Sequence, residues 1–310
     1  MIKEKVIRSI FITTFTIFTL FVIYMLPERV NPNFLDPKIN VEYVLSLETS
    51  EVYLLGPNNY LVKTKVMLDD KDLNTKIQGM IEYLTINASD RLPVGLKGII
   101  PANTKLIKLE VKDNIAYLDF SKELLKVSAA LEERMIEAIC FSINSTPEIK
   151  GVIIKVEGEI LTELPHSKKS IPEILTREYG INKVYNLTNR KKINKVVLYY
   201  VSRIDNNSYY VPVTKYVNDD REKIKIIIEN LTSSYIYDNN LISYVSRNAQ
   251  LVNYQIEDEL MMLTFNNSIF ESAKVLEEVT NMIAYSIFDN YNVERISLEI
   301  KGQEAKIIER

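Results

Sequence analysis

The sequence predicts an α+β protein made of two tandem copies of one small domain, placed after one N-terminal transmembrane helix. Three observations support this fold class: the same order of strands and helices occurs twice, the two halves align with each other, and the N-terminus carries a long apolar run. The chain has 310 residues, 46% of them hydrophobic and 25% charged, which suits two folded domains.

The apolar run, SIFITTFTIFTLFVIYML, occupies residues 9–26 and contains no charged residue. A helix of this length spans most of a hydrocarbon core of about 30 Å. Basic residues in segment 1–8 predict a cytoplasmic N-terminus, with the remainder of the chain outside the cytoplasm of a bacterial cell. No cleavage site of small residues ends the run, which favours an uncleaved signal anchor over a cleaved signal peptide. No cysteine comes directly after the run, so lipid attachment at that point is not expected.

Residues 27–50 are rich in proline and are expected to form a spacer, and a first domain is expected at 51–158. Its order is β-β-α-β-β-α-β, with helices covering one face of a small sheet. Alternating apolar residues predict strands at 52–55, 60–68, 104–111, 115–120 and 151–158. Helical spacing predicts two helices, with inward stripes Leu73, Ile77, Met80, Ile81, Leu84 and Leu131, Met135, Ala138, Ile139, Ser142, Ile143.

The same pattern returns at 196–303, where we place a second, degenerate copy of the domain. A connection occupies 159–195, and a short tail occupies 304–310. The alignment pairs Asn103 with Asn248, Leu106 with Leu251, Ile107 with Val252, Asp113 with Asp258, Leu118 with Leu263, Phe120 with Phe265 and Gly158 with Gly302. It also places VYLL at 52–55 over VLYY at 197–200. Two copies of one domain explain these matches better than one larger fold.

Composition excludes several classes of function. Lys+Arg number 38 against 41 Asp+Glu, so no global positive field exists to bind nucleic acid. The chain has one histidine and one cysteine, too few for a zinc cluster or a disulfide framework. Only 8 glycines occur, and no glycine-rich phosphate loop is present. We therefore expect no metal and no cofactor.

Asp119, Ser121 and Glu123 could be read as the edge of a catalytic site. A hydroxyl nucleophile needs a base within hydrogen-bond reach, and the only histidine, His166, lies in the connection. The second copy keeps the apolar residues here and replaces these three by Thr264, Asn266 and Ser268. We therefore expect no catalytic residue, and we expect the polar groups to cap a helix or satisfy backbone at a strand end.

Four further side chains are expected to be structural or solvated. Cys140, whose counterpart is Ala284, should be a buried and inert thiol. His166 is expected to be solvated. Glu132 and Glu133 are expected to lie on the exposed face of a helix start.

The segment GLKGIIPANTKLIKLEVKDNIAYLDFSKEL, followed by a helix and PEIKGVIIKVEG, resembles the GerMN, or sporulation and spore germination, domain family. The resemblance is specific in the first copy and eroded in the second, and the apolar run lies outside it. The residues that match the family motif, for which the resemblance implies a structural role, are Pro101, Thr104, Leu106, Asp113, Leu118, Asp119, Phe120, Ser121 and Gly158.

The resemblance implies a non-enzymatic binding or assembly component of the sporulation or germination envelope machinery, similar to ring-building modules. Its expected partners are envelope proteins, with a homo-oligomer or ring as one arrangement. An alternative is an accessory protein that binds peptidoglycan or regulates a hydrolase, unconnected with sporulation. A hydrolase is the third hypothesis. A helix face against the exposed sheet edge of a neighbour is the expected mode of assembly.

Overall fold

The computed structural model describes residues 3–25, 47–69, 72–204, 207–233, 241–269, 277–300 and 306–310. The chain separates into two compact units, residues 1–45 and 46–310. In the first unit, helix α1 spans Lys3–Met25. Among the described residues, no helix is both long enough and apolar enough to cross a membrane. Most of the predicted spacer, residues 27–46, lies outside the described part of the chain, and its last residues belong to the first strand.

The second unit contains the β-β-α-β-β-α-β order twice, with two short strands added in the second repeat. The first repeat consists of β1 (Leu47–Leu55), β2 (Leu61–Asp69), α2 (Leu73–Leu84), β3 (Leu106–Lys112), β4 (Ile115–Phe120), α3 (Glu132–Ile143) and β5 (Gly151–Val156). The short strands β6 (Glu159–Ile160) and β7 (Val184–Asn186) follow. The second repeat consists of β8 (Ile193–Ile204), β9 (Asn207–Asn218), α4 (Lys223–Ser233), β10 (Leu241–Ile242), β11 (Leu251–Glu257), β12 (Leu260–Phe265), α5 (Glu277–Phe288), β13 (Arg295–Ile300) and β14 (Lys306–Glu309).

Each repeat has its own four-stranded sheet, in the orders β3-β4-β5-β6 and β11-β12-β13-β14. In both sheets the second strand pairs antiparallel with the first and parallel with the third. In β4 and β12, buried and half-buried residues alternate strictly, because a strand presents every second side chain to one face. The inward residues of β4 and β12 are completely buried: Ala116, Leu118, Phe120, Met261, Leu263 and Phe265.

The first hairpins of the two repeats join in one larger sheet, in the order β1-β2-β9-β8-β10, with β7 also paired to β9. The β2–β9 junction is antiparallel, with Lys63 opposite Tyr210. A single hydrophobic core runs through both repeats. The repeats are therefore two halves of one packed unit that share a sheet.

The connection 159–195 and the tail 304–310 are more structured than the sequence analysis supposed. The connection holds β6, β7 and the first residues of β8, and it buries apolar residues against the core: Leu164, Ile171, Leu175 and Ile181. The tail includes β14, in which Ile308 lies opposite Ile296 of β13. Unpaired backbone at a sheet edge can still form a ladder, which explains why so short a segment becomes a strand.

Candidate functional site

The family motif ends β4, and its polar residues bind backbone there. Asp119 lies between the buried Leu118 and Phe120, and its Oδ1 accepts a hydrogen bond of 2.9 Å from the backbone N–H of Gly158. Gly158 has φ +89°, a left-handed conformation that favours glycine. Asp119 therefore ties the end of β4 to the turn that follows β5.

Ser121 closes the open end of the β3–β4 ladder. Its Oγ accepts from the N–H of Lys105 at 3.1 Å, and its own N–H donates to the Lys105 carbonyl at 2.9 Å. In the second repeat Asn266 makes the same pair of bonds with Gln250, each of 3.0 Å. Ser121 makes no side-chain cap on the 3₁₀ turn that follows. Of the two structural roles expected at this position, Ser121 therefore satisfies backbone at the strand end and does not cap the following turn.

The remaining motif residues shape the entry to this hairpin and its turn. The Thr104 hydroxyl donates to the Pro101 carbonyl at 2.8 Å, just before β3 begins with the half-buried Leu106. Asp113 and Asn114 have φ of 52° and 62° and form the tight turn between β3 and β4. Both residue types tolerate the left-handed region, which explains their place there.

The arrangement around Ser121 is unsuited to nucleophilic catalysis. The Ser121 hydroxyl lowers the pKa of the partly buried carboxyl of Glu123, which makes that group a weaker base. His166 lies in the connection, where its Nε2 is 2.7 Å from the Val127 carbonyl. Within the described residues, no group of three His, Cys, Asp or Glu side chains could hold a metal ion.

Cys140 lies in α3 and is completely buried, as is its counterpart Ala284. Burial raises the pKa of the Cys140 thiol to about 12, so the reactive thiolate is scarce at neutral pH. Its Sγ lies 3.3 Å from the Thr176 carbonyl of the connection. The prediction of a buried thiol is thus confirmed by its placement.

Glu132 corrects the expectation of a solvated helix start, because it is only 3% exposed. Its two carboxylate oxygens accept from the backbone N–H groups of His166 and Ser167, at 2.7 and 3.0 Å. Burial raises its pKa, but these hydrogen bonds outweigh burial and leave the pKa of Glu132 below its ordinary value. The carboxylate therefore anchors the connection to the start of α3.

Two polar contacts hold the repeats together. Asn182, completely buried in the connection, donates from its Nδ2 to the carbonyls of Leu61 in β2 and Pro212 in β9. Its Oδ1 accepts from the N–H of Leu61 at 2.9 Å. One amide side chain thus bridges the strands where the two repeats meet, and its backbone N–H donates to the buried Glu137.

The second contact is an ion pair between Arg177 of the connection and Asp289 after α5, with Nη2 at 3.1 Å from both carboxylate oxygens. The hydroxyl of Tyr199 donates to Asp289, and Arg177 also donates to the hydroxyl of Tyr53. Burial lowers the pKa of Arg177, but Tyr53 and Asp289 more than offset this and hold it well above its ordinary value.

Tyr53 and Tyr199 are equivalent residues of the two repeats. The N–H of Tyr53 donates to the Oγ of Ser142, and the N–H of Tyr199 donates to the Oγ of Ser286, each at 2.9 Å. The structure thus shifts the sequence alignment of the first strands by one residue, because VYLL corresponds to positions 198–201. The hydroxyls of Ser142 on α3 and Ser286 on α5 define this correspondence. The pattern of apolar residues alone did not reveal it.

An exposed sheet edge was expected from the sequence, but the strands and residues that form it were not identified. Among the described residues, β3 and β11 each pair on one side only, and each contains a bulge, between Leu106 and Lys108 and between Leu251 and Asn253. The bulged residues are Ile107 and Val252, which are 55% and 63% exposed. The signal was available, since two adjacent apolar residues interrupt the alternation at the same place in both copies.

Comparison with known proteins gives a consistent result. The family model described as sporulation and spore germination matches residues 51–162. The spore germination protein GerM of Bacillus subtilis (strain 168) is 27% identical over 270 residues, covering 84% of this chain and 73% of GerM. The solved structure of the tandem GerMN domains of the sporulation protein GerM from Bacillus subtilis superimposes with a TM-score of 0.79 and 26% identity, covering 86% of this chain and 97% of that one. Residues 51–162 therefore match the sporulation and spore germination family, and the chain as a whole is similar to GerM and to its tandem GerMN domains.

Proposed function

We propose that this protein is a membrane-anchored, extracytoplasmic and non-enzymatic assembly component of the sporulation or spore-germination envelope machinery. The similarity to GerM supports the process, because that relative is named as a spore germination and sporulation protein. The single observation that carries the assembly role is the pair of exposed apolar bulge residues, Ile107 and Val252, on equivalent edge strands.

An edge strand offers unpaired N–H and C=O groups to another chain. A bulge interrupts continuous pairing and re-aims one side chain, so the edge presents a discrete apolar contact. In β3, Ile107 lies beside a groove of about 350 Å³ whose other wall is α2, where it faces Ile81 and Gln78. A neighbouring chain could place an apolar side chain in this groove and hydrogen-bond the adjacent strand edge.

Each repeat has one such edge strand, β3 in the first and β11 in the second. The protein can therefore make the same kind of contact twice. Contacts that use different surfaces on the two partners generate rings when the rotation closes and filaments when it does not. A second copy of this chain is therefore the first partner to test, and other envelope proteins are the second.

Membrane attachment is part of the proposal although no helix among the described residues is both long enough and apolar enough to cross a membrane. It rests on the uncharged run 9–26, whose final residue lies outside the described helix. Apolar side chains of α1 are exposed, for example Phe11 at 76%. The hydroxyls of Thr16 and Thr19 bond back to carbonyls one turn earlier, at 2.7 and 2.8 Å. An intrahelical hydrogen bond lowers the free-energy cost of moving a hydroxyl from water into an apolar phase.

The assembly proposal is tested by placing a photo-crosslinking amino acid at position 107 or 252 of the full chain in sporulating cells. The matched control is position 94, where Val94 is 68% exposed and lies outside the edge strands. We expect protein adducts from 107 and 252, and mass spectrometry distinguishes a second copy from another envelope protein. Absence of adducts at both positions, or equal yields from position 94, would contradict the proposal.

Membrane attachment and timing have their own tests. Alkaline carbonate should leave the full chain in the membrane pellet, whereas a variant lacking residues 1–26 should not be retained.

A fluorescent fusion should be enriched at the engulfing membranes of sporulating cells. Uniform expression in growing cells without this enrichment would contradict the sporulation role and would leave the fold unaffected.

A further inference from the structure

The connection between the repeats builds a cleft that the assembly role does not use. We call it the tyrosine cleft. It has a volume of about 460 Å³, within the range of small-ligand sites. Its principal lining residues are Glu133 of α3, Tyr216 of β9, and Lys169, Tyr179, Lys183 and Tyr185 of the connection. One wall thus comes from each repeat, and the connection supplies the rest.

The cleft presents an exposed aromatic surface. Tyr185 and Tyr216 are register partners on the parallel strands β7 and β9, and their rings stack 4.9 Å apart at an angle of 9°. Tyr185 is nevertheless 63% exposed, so this flat aromatic pair is open to solvent on one side. Cross-strand packing explains the stack itself, but it does not explain why so large an aromatic face is left uncovered.

The two lysines of the cleft are matched by two carboxylates, because Lys183 pairs with Glu133 and also lies 3.5 Å from the buried Glu137. The Nζ of Lys183 lies 2.8 Å from the Glu133 carboxylate, and the Nζ of Lys169 lies 3.5 Å from the same group. The Lys183 ammonium also sits 3.5 Å above the Tyr179 ring centroid. A cationic ligand would meet two lysines, and an anionic one would meet Glu133. A neutral ligand with an apolar face and several hydroxyls avoids both conflicts.

The cleft is also held in shape from behind. Glu132 fixes the segment carrying Lys169 through the backbone N–H groups of His166 and Ser167. Asn182, adjacent to Lys183, is locked between β2 and β9. Sites of this kind lose little conformational entropy when a ligand binds, because their walls are fixed beforehand.

We propose that the tyrosine cleft binds a pyranose unit of a neutral glycan, with the sugar ring against Tyr185 and its hydroxyls hydrogen-bonded to Glu133, Lys169 and Ser170. A pyranose ring has an apolar C–H face and polar hydroxyl edges, which match an aromatic platform rimmed by hydrogen-bonding groups. This inference does not depend on assembly through the edge strands. A bacterial wall glycan and an unrelated polysaccharide share this chemistry, so the test separates them.

The test is co-sedimentation of the full chain, in mild detergent, with purified peptidoglycan sacculi and with insoluble glucan particles, using soluble N-acetylglucosamine hexamer as competitor. We expect binding to sacculi that the hexamer competes away. Tyr185→Ala should weaken binding about tenfold, equivalent to ~1.4 kcal/mol, whereas Tyr185→Phe should retain it because the stacking surface remains. The matched control is Met67→Ala, an exposed apolar position on β2 that does not line the cleft.

A second variant covers the case in which Tyr185→Ala loses its fold. Ser170→Trp, at an exposed position on the rim, should block the cleft and abolish binding with an unchanged Tm. Binding to glucan alone would support the cleft and assign it to another polysaccharide. The inference is overturned if neither polymer binds, if folded Tyr185→Ala or Ser170→Trp binds like the parent, or if Met67→Ala loses as much binding as they do.

Discussion

The two repeats share an apolar framework and differ in the polar groups attached to it. Leu118 and Phe120 in the first repeat and Leu263 and Phe265 in the second are all completely buried. At the intervening position, Asp119 accepts a hydrogen bond from Gly158, whereas Thr264 makes a longer contact of 3.4 Å with a Glu299 carboxylate oxygen. The buried apolar side chains are therefore kept in both repeats, whereas the polar residue at the end of the strand differs between them.

The two covering helices differ in the same way. α3 carries Glu132, which binds the connection, and Glu137, whose buried carboxylate accepts from Arg134 at 2.8 Å. Burial raises the pKa of Glu137. The residue of α5 that corresponds to Glu137 is Asn281, a neutral amide that donates to the Tyr210 hydroxyl. Buried carboxylates thus lie on α3, the helix against which the connection packs. The asymmetry follows from the single connection that joins the two copies.

The largest expected effect tests the shared framework. Phe120→Ala and Phe265→Ala should each destabilise the protein by about 3–5 kcal/mol, because each leaves a large cavity in the core. Urea unfolding of the full chain measures both free energies. If one variant loses less than about 1 kcal/mol, the two cores are not equivalent and the comparison of the repeats fails.

The next effect tests the contact between repeats. Arg177→Met removes the partner of Asp289, which is largely buried, and should cost about 3 kcal/mol because the carboxylate is left uncompensated. Arg221→Met is the matched control, since Arg221 pairs with Asp219 and Glu229 on the surface, where such pairs contribute about 0–1 kcal/mol. Similar unfolding midpoints for the two variants would show that the ion pair does not join the repeats energetically.

A third effect concerns pH. The folded-state pKa of Glu132 lies below its unfolded value, so its contribution to stability is present above the unfolded pKa and is lost as pH falls through the folded one. The free energy of unfolding should therefore fall by about 1 kcal/mol more in the parent than in Glu132→Gln as the pH drops from 6 towards 3. Parallel pH profiles for the two proteins would show that the connection is not held by this carboxylate.

The smallest effect returns to the motif. Asp119→Ala should cost about 1 kcal/mol by leaving the Gly158 N–H without its acceptor, whereas Asp119→Asn should stay within about 0.5 kcal/mol. Thr264→Ala in the second repeat should change stability by less than about 0.5 kcal/mol. Equal losses in the free energy of unfolding for Asp119→Ala and Thr264→Ala would contradict the comparison. They would show that replacing the motif residue in the second repeat has not changed its contribution to stability.

Much of each repeat was predictable because its signals are local. Alternation in β4 and β12, and the helical stripe through Ile77, Met80 and Leu84, depend on neighbours in sequence. Asn182 and Arg177 carried no such signal, since their partners Leu61 and Asp289 lie more than a hundred residues away. Glu132 was misread for the same reason, because its hydrogen-bond donors arrive from the connection.

The candidate surfaces show a similar division. The apolar character of Ile107 and Val252 was visible from sequence, but their exposure depends on a bulge that only strand pairing reveals. Tyr185 and Tyr216 lie far apart in sequence and stack only because β7 pairs with β9. No local pattern could have assembled them.

By itself, the sequence determined that this protein contains two copies of one α+β domain after an apolar N-terminal run, and that the polar end of its motif is replaceable. These conclusions follow from periodicity and from internal alignment, both of which survive without knowledge of long-range contacts. Only the tertiary structure decided that residues 46–310 pack as one unit through a shared sheet, and that the connection forms part of the core and lines a cleft. Those features depend on contacts between residues far apart in the chain, which composition and spacing do not encode.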